Sequence, residues 1–133
     1  ASVVVVAAAV SGGSFSELVG ALCEKYGTQR LCLDLVRCCQ DFPMPAYDPD
    51  GRRMTARELT ELQGKTGAQS FFSRDLCCKY FTYRQEDGAV HFVLFDDADT
   101  AHAKLEHIRR AGVGQVFLLY SEWAKEAREL AGM

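Results

Sequence analysis

Between Lys79 and Tyr120 the chain alternates short apolar runs with polar breaks. Phe81–Arg84 is extended, Gln85–Gly88 is a polar turn, and Val90–Phe95 (VHFVLF) is apolar on both faces. Gln115–Tyr120 (QVFLLY) repeats the two-sided apolar pattern. Asp87-Gly88 suits a tight hairpin turn, because glycine accepts the positive φ such turns need. A run apolar on both faces is expected where a sheet is covered by layers on either side. Between the two runs, Asp99 or Thr100 is expected to cap a helix with Ala101, Leu105, Ile108 and Ala111 on one face, stopped by Gly112. Strand, helix and strand with short connections predict a βαβ unit, with VHFVLF and QVFLLY parallel and side by side.

The rest of the chain extends this pattern. Ser2–Val10 is a β-branched apolar run that reads as a central parallel strand. A helix is expected from Phe15 to about Tyr26, with Leu18, Val19, Leu22 and Cys23 on one face and Gly27 at its end. Leu31–Val36 is the second strand. Arg37–Arg53, rich in Pro, Asp and Gly, reads as a long connection of the kind that often carries function. Thr55 and Glu58 form a capping-box pattern for a helix reaching Leu62 or Gln63. Ser70–Ser73 is a short strand or an extended lead-in, and Glu122–Leu130 is a final helix with Trp123, Ala127 and Leu130 turned inward.

The expectation is therefore one α/β domain over residues 1–133, a parallel sheet built from about four βα units. It is either half-barrel-like or an open three-layer sandwich. A full (β/α)8 barrel takes about 250 residues, so this would be half of one. The outer strands of such a half leave backbone unpaired unless another segment or a second subunit covers them. The open sheet is the less demanding arrangement.

Composition narrows the function classes. The chain has 133 residues, 48% of them hydrophobic, enough for one globular core. A formal charge of −3 argues against nucleic acid, which calls for a basic face, and gives no pull toward anionic lipid. No apolar run has the length of a membrane span. The apolar start lacks a basic flank and runs into Gly12-Gly13, so it reads as a strand rather than a signal peptide. Beginning at Ala1 fits an excised domain or a processed product. The six cysteines show no C-x-x-C spacing. Cys38-Cys39 and Cys77-Cys78 each offer one thiol in a given direction if they lie on strands, which disfavours a tetrahedral metal site. Small hydrophobes in a reduced core are the plainer role, with disulfides open to an exported protein.

In a parallel sheet, ligands gather beyond the C-terminal ends of the strands. Ser11, Gly12, Gly13 and Ser14 form a Gly-rich turn before a helix, a phosphate-binding geometry with some likeness to the SGG-x-D-S loop of ATP pyrophosphatases. Phe15 stands where that loop has Asp. The alternative is a turn at Gly12-Gly13 with Ser14 as helix cap. Asp41 with the Tyr47 loop, Asp96, Asp97 and Glu122 make a second candidate set, whose paired carboxylates suit glycoside chemistry. Each of these acids also suits a first helical turn, where it opposes the dipole. His91 reads as a hydrogen-bonded core residue, and His102 and His107 as solvent-facing. No cofactor, metal or catalytic relay is indicated.

Phe81, Tyr83, Asp87, Gly88, His91, Val93, Phe95, Asp96, Asp97, Ala98, Thr100, Lys104, Gly112 and Val116 together resemble the C-terminal part of chitinase-like barrels. These are the family 18 glycoside hydrolases, and among them the spore-germination and cortex-lytic types. Leu31–Leu35 and Asp41–Pro45 are a looser match to the preceding strand and loop. The resemblance implies an amino-sugar glycan as partner and a bacterial envelope or spore setting, whereas cysteine usage fits a reducing interior. It also implies catalytic acids in a D-x-x-D-x-D-x-E run, which this sequence lacks, and tryptophans at the positions of Leu94 and Leu119. A sugar ring stacks on a flat aromatic face, which leucine does not offer. Three expectations follow: a non-catalytic glycan-binding or structural part of a larger protein, a phosphate- or nucleotide-binding domain using Ser11–Ser14, or an assembly domain using its open sheet edge.

Overall fold

A computed structural model describes residues 3–9, 13–44, 51–126 and 130. The elements run β1 (Val4–Ala7), α1 (Phe15–Tyr26), β2 (Leu31–Asp34), β3 (Cys39–Met44), β4 (Arg52–Arg53) and α2 (Ala56–Thr66). They continue with β5 (Phe71–Ser73), β6 (Cys78–Arg84), β7 (Val90–Phe95), α3 (Ala98–Arg110), β8 (Gln115–Phe117) and α4 (Tyr120–Trp123). The strands form two sheets: a parallel one in the order β1-β2-β8, and an antiparallel one in the order β4-β3-β7-β6-β5.

The expected sheet of four parallel βα units is thus replaced by a parallel three-stranded sheet and an antiparallel five-stranded one. VHFVLF and QVFLLY are not neighbours: β7 pairs with β3 and β6, both antiparallel, while β8 pairs with β2. The two-sided apolar pattern of β7 comes from its central place in the antiparallel sheet. Val93 and Phe95 join Phe81, Cys39, Met54 and Leu59 beneath α2, and Leu94 joins Phe42 and Cys78 on the other face. Apolar periodicity reports how many faces are covered, not which way the neighbouring strand runs.

Half of the expected connection Arg37–Arg53 is strand. Gln40 and Asp41 pair with Arg53 and Arg52, and all six residues of β3 pair with β7. Pro43 fits within β3 because β4 ends before it, leaving that stretch an edge with no donor needed. The Asp87-Gly88 hairpin is present: Gly88 has φ 89°, and Asp87 Oδ1 accepts the Ala89 N–H at 2.9 Å.

The first two helices start where their caps foretell. Ser14 caps α1 and Gly27 follows it. Thr55 and Glu58 close a capping box on α2, which runs on to Thr66. The cap of α3 is Asp97 rather than Asp99 or Thr100: Asp97 Oδ1 accepts the Thr100 N–H, and Thr100 Oγ1 accepts the Asp97 N–H. Of the expected helix Glu122–Leu130, the described residues give α4 to Trp123, a turn to Glu126 and helix again at Leu130, with Trp123 and Leu130 both buried as expected. Residues 127–129 lie outside the described ones.

The main core lies between the parallel sheet, α1 and α3. Leu31, Leu33 and Leu35 point into it from β2 and its end, and meet Val19, Ile108 and Trp123. The expected central strand, β1, is instead an edge with Val5 exposed, and β2 is central in the parallel sheet.

Candidate functional site

The C-terminal ends of β2 and β8 bring Arg37 beside Glu122. The Arg37 guanidinium lies over the Trp123 ring, 4.8 Å from its centroid. Its Nη1 donates to Glu126 Oε2 at 2.8 Å and to the Glu122 carbonyl at 3.0 Å, and its Nη2 to the Asp96 carbonyl at 3.4 Å. Trp123 Nε1 donates to the Leu35 carbonyl at 2.9 Å, which fixes the ring. Glu122 Oε2 accepts from Arg53 Nη2 at 2.7 Å, a bond that reaches from α4 to the edge of the other sheet. These charges line a two-lobed cleft between α2 and the 119–126 segment. One lobe, about 550 Å³, includes Arg53, Met54 and Leu119. The other, about 410 Å³, includes Gln63, Asp97 and Lys125, and both share Arg37, Leu59 and Glu122.

Asp96 borders this cleft, but its side chain faces inward and is fully buried. Its Oδ2 accepts from Lys104 Nζ at 2.8 Å and from the Cys38 N–H at 2.9 Å. Its Oδ1 accepts from Thr100 Oγ1 at 2.7 Å and from the Cys78 thiol at 3.5 Å. Thr100 and Lys104 follow Asp96 at intervals of four, so one face of α3 presents both to it. Burial alone would lower the Lys104 pKa, but the Asp96 carboxylate and the Cys78 sulfur outweigh it and hold it above lysine's usual value. Lys104 Nζ also lies 5.5 Å from the Phe15 ring centroid, which ties α3 to α1. Cys38 and Cys78 flank Asp96 on either side. Hydrogen bonding between the two thiols, then burial, raises the Cys38 pKa.

Asp97 caps α3 and pairs with Lys79 Nζ at 2.5 Å, which also reaches Asp99 at 3.1 Å. Asp41 is elsewhere. It sits mid-strand in β3, buried, accepting from Tyr83 Oη at 2.6 Å and bonded to His91 Nδ1 at 2.7 Å. The Tyr83 and His91 rings stack with centroids 4.9 Å apart. Burial, then the bond to Asp41, raises the Tyr83 pKa. Replacing Asp41 by Ala is expected to lower the unfolding free energy by about 1–3 kcal/mol, because two partly buried polar groups, Tyr83 and His91, lose their shared partner. A urea midpoint equal to that of the parent chain would show that these bonds contribute nothing.

Of the five acid-loop candidates, Asp96, Asp97 and Glu122 border one cleft, and Asp41 does not; Tyr47 lies outside the described residues. Ser11 and Gly12 do as well. Gly13 has φ 80°, and Ser14 Oγ accepts the Glu17 N–H at 3.3 Å as the helix cap. The Phe15 N–H is taken by the Asp75 carbonyl at 2.6 Å, and Glu17 adds an acid to the first turn. Arg37 and Arg53 were not singled out from the sequence, and Lys104 entered only as one residue of the family resemblance. The buried pairing of Lys104 with Asp96 had a local signal in the Asp96, Thr100, Lys104 spacing. Among the described residues, no group of three or more His, Cys, Asp or Glu side chains is placed to hold a metal ion, and no helix is long and apolar enough to cross a membrane.

No protein-family model and no curated protein matches the sequence. Solved structures do match the fold. A chitinase from Chromobacterium violaceum aligns over 98% of this chain and 46% of its own, with TM-score 0.74 and 17% identity. The spore cortex-lytic enzyme SleL of Bacillus megaterium aligns over 89% of this chain and 30% of its own, with TM-score 0.69 and 17% identity. A class V chitinase from Nicotiana tobaccum, in complex with NAG4, aligns over 79% and 34%, with TM-score 0.57 and 14% identity. This chain thus spans less than half of each of these proteins. Over most of its length, the chain carries the fold of chitinase-like glycoside hydrolases of the family 18 type.

Proposed function

We propose that the chain is the C-terminal portion of a chitinase-like barrel, lining one side of a glycan cleft without hydrolysing glycan by itself. The supporting observation is the joint placement of Asp97, Glu122 and Arg53 around the cleft at the ends of β2 and β8, within a fold shared with chitinase-like structures. Glycoside hydrolysis calls for a protonated acid paired with a second carboxylate. Glu122 and Asp97 are instead each held in an ion pair, with Arg53 and Lys79 respectively. Leu119 offers aliphatic contact without an aromatic stacking face, so binding by this portion alone is expected to be weak.

Titration of the isotopically labelled chain with an N-acetylglucosamine tetramer tests this. Amide shifts at Ser121, Glu122 and Asp97, with no reducing ends released, are expected. Absence of shifts at millimolar tetramer, or shifts at Gly13 and Ser14 on adding a nucleotide, would reject the glycan assignment.

A further inference from the structure

We propose that β5, the outermost strand of the antiparallel sheet, pairs antiparallel with β5 of a second copy of this chain, forming a two-fold dimer. The proposal stands apart from the glycan cleft. Among the described residues β5 pairs only with β6, so its other side carries unpaired backbone. The two edges of this sheet are unlike. At one, β4 presents Arg52 and Arg53, both exposed, and charged side chains commonly guard an edge against strand pairing. At the other, Phe71, Phe72 and Ser73 carry no charge, and Phe71 is 52% and Phe72 47% exposed. The two phenylalanines lie on opposite faces. Phe71 packs on Tyr80 with ring centroids 5.8 Å apart, ending an aromatic row that runs through Phe92 at 5.3 Å to Phe42 at 6.5 Å. Phe72 is opposite Lys79, which is opposite Phe95, so it lies on the face toward α2. Half-exposed rings on both faces of an unguarded edge mark a contact surface.

The occupant must bring apolar groups to both faces and a matching N–H and C=O to the edge. Another β5 does both. Ser73 turns its carbonyl to the Cys77 N–H at 2.8 Å, on the β6 side, so by alternation Phe72 turns its own N–H and C=O outward. About a two-fold axis at Phe72, the two copies exchange both of these bonds and set the two Phe72 rings side by side. In that register Phe71 faces Ser73, Ser70 faces Arg74 and Gln69 faces Asp75 of the second copy, so no like charges are opposed. The two Phe71 rings are diagonal neighbours, within reach for aromatic side chains, and would join the two aromatic rows across the dimer. A contact of this symmetry closes after two copies.

Analytical ultracentrifugation and amide hydrogen exchange at rising concentration test this. Two three-residue strands bury less than the roughly 1,200 Å² of a stable complex, so a weak dimer at about millimolar concentration is expected. The Phe72 amide should exchange more slowly as the dimer forms. Phe72→Pro removes the outward donor without costing a bond to β6, and should raise the dimer Kd about tenfold or more. Phe72→Lys keeps the donor but guards the edge with charge, and should raise the Kd as well. Val5→Lys, an exposed position on the other sheet, should leave it unchanged. A chain that stays monomeric at millimolar concentration overturns the proposal. So does a dimer that both Phe72 variants leave intact, one that Val5→Lys dissolves, or growth beyond two copies. A Phe72 amide already protected in the monomer overturns it too, because a different occupant then pairs with this edge.

Discussion

Lys104→Met is expected to lower the stability of the chain by about 3–5 kcal/mol, the usual penalty for leaving a buried charge without its partner. Asp96 and Lys104 are both almost wholly screened from solvent, and the Asp96 carboxylate also holds Thr100, Cys78 and the Cys38 N–H. Removing the cation strands the acid at the junction of the two sheets. Asp96→Asn combined with Lys104→Met should recover part of the loss, since a neutral amide tolerates the site better than a lone carboxylate. Urea unfolding of the three variants at neutral pH measures both effects. An unchanged midpoint for Lys104→Met would mean that water reaches Asp96.

The pH dependence has a definite sign. The folded pKa of Lys104 lies above lysine's usual 10.5. The pair's contribution is therefore complete below that value and declines as pH rises from there through the folded pKa. Parent and variant should converge in stability in strong alkali, and they should stay apart from neutrality up to the lysine range.

The second large effect falls on Gly51. Its φ is +64°, and a Cβ added there would lie 2.7 Å from Phe42 Cδ1 and 2.9 Å from the Asp41 carbonyl oxygen. The left-handed conformation costs an alanine about 1–2 kcal/mol, and overpacking typically adds about 1–3 kcal/mol. Gly51→Ala should therefore destabilise by about 2–5 kcal/mol, seen as a lower Tm and looser amides across β3. Gly64 is the control. It lies inside α2 with nothing within 4 Å of a Cβ, so Gly64→Ala should instead stabilise by about 0.5–1 kcal/mol. A Gly51→Ala variant as stable as the parent would mean that the 41–51 approach is looser than it looks.

Local chemistry was legible from the sequence where it depends on near neighbours. The caps at Ser14 and Thr55, the stops at Gly27 and Gly112, and the Asp87-Gly88 turn all follow from residue types a few positions apart. Sheet membership depends on partners far along the chain. VHFVLF looks like a buried parallel strand because α2 covers one of its faces and Phe42, Leu94 and Cys78 pack on the other. Pro43 and Pro45 argued for a loop, yet Pro43 is tolerated where β4 has already ended. In the cleft, the acids were visible as candidates, whereas Arg37 and Arg53 were not. Their partners lie 85 and 69 residues away, at separations for which no local spacing exists.

The register around Asp96 bears on the environments the protein can withstand. Cys38 and Cys78 sit opposite the same residue from either side, two strand spacings or about 9.6 Å apart at their Cα atoms. A disulfide needs about 4.4–6.8 Å, so these thiols cannot be joined without pulling the sheet open. An oxidant therefore finds no ready covalent staple between Cys38 and Cys78.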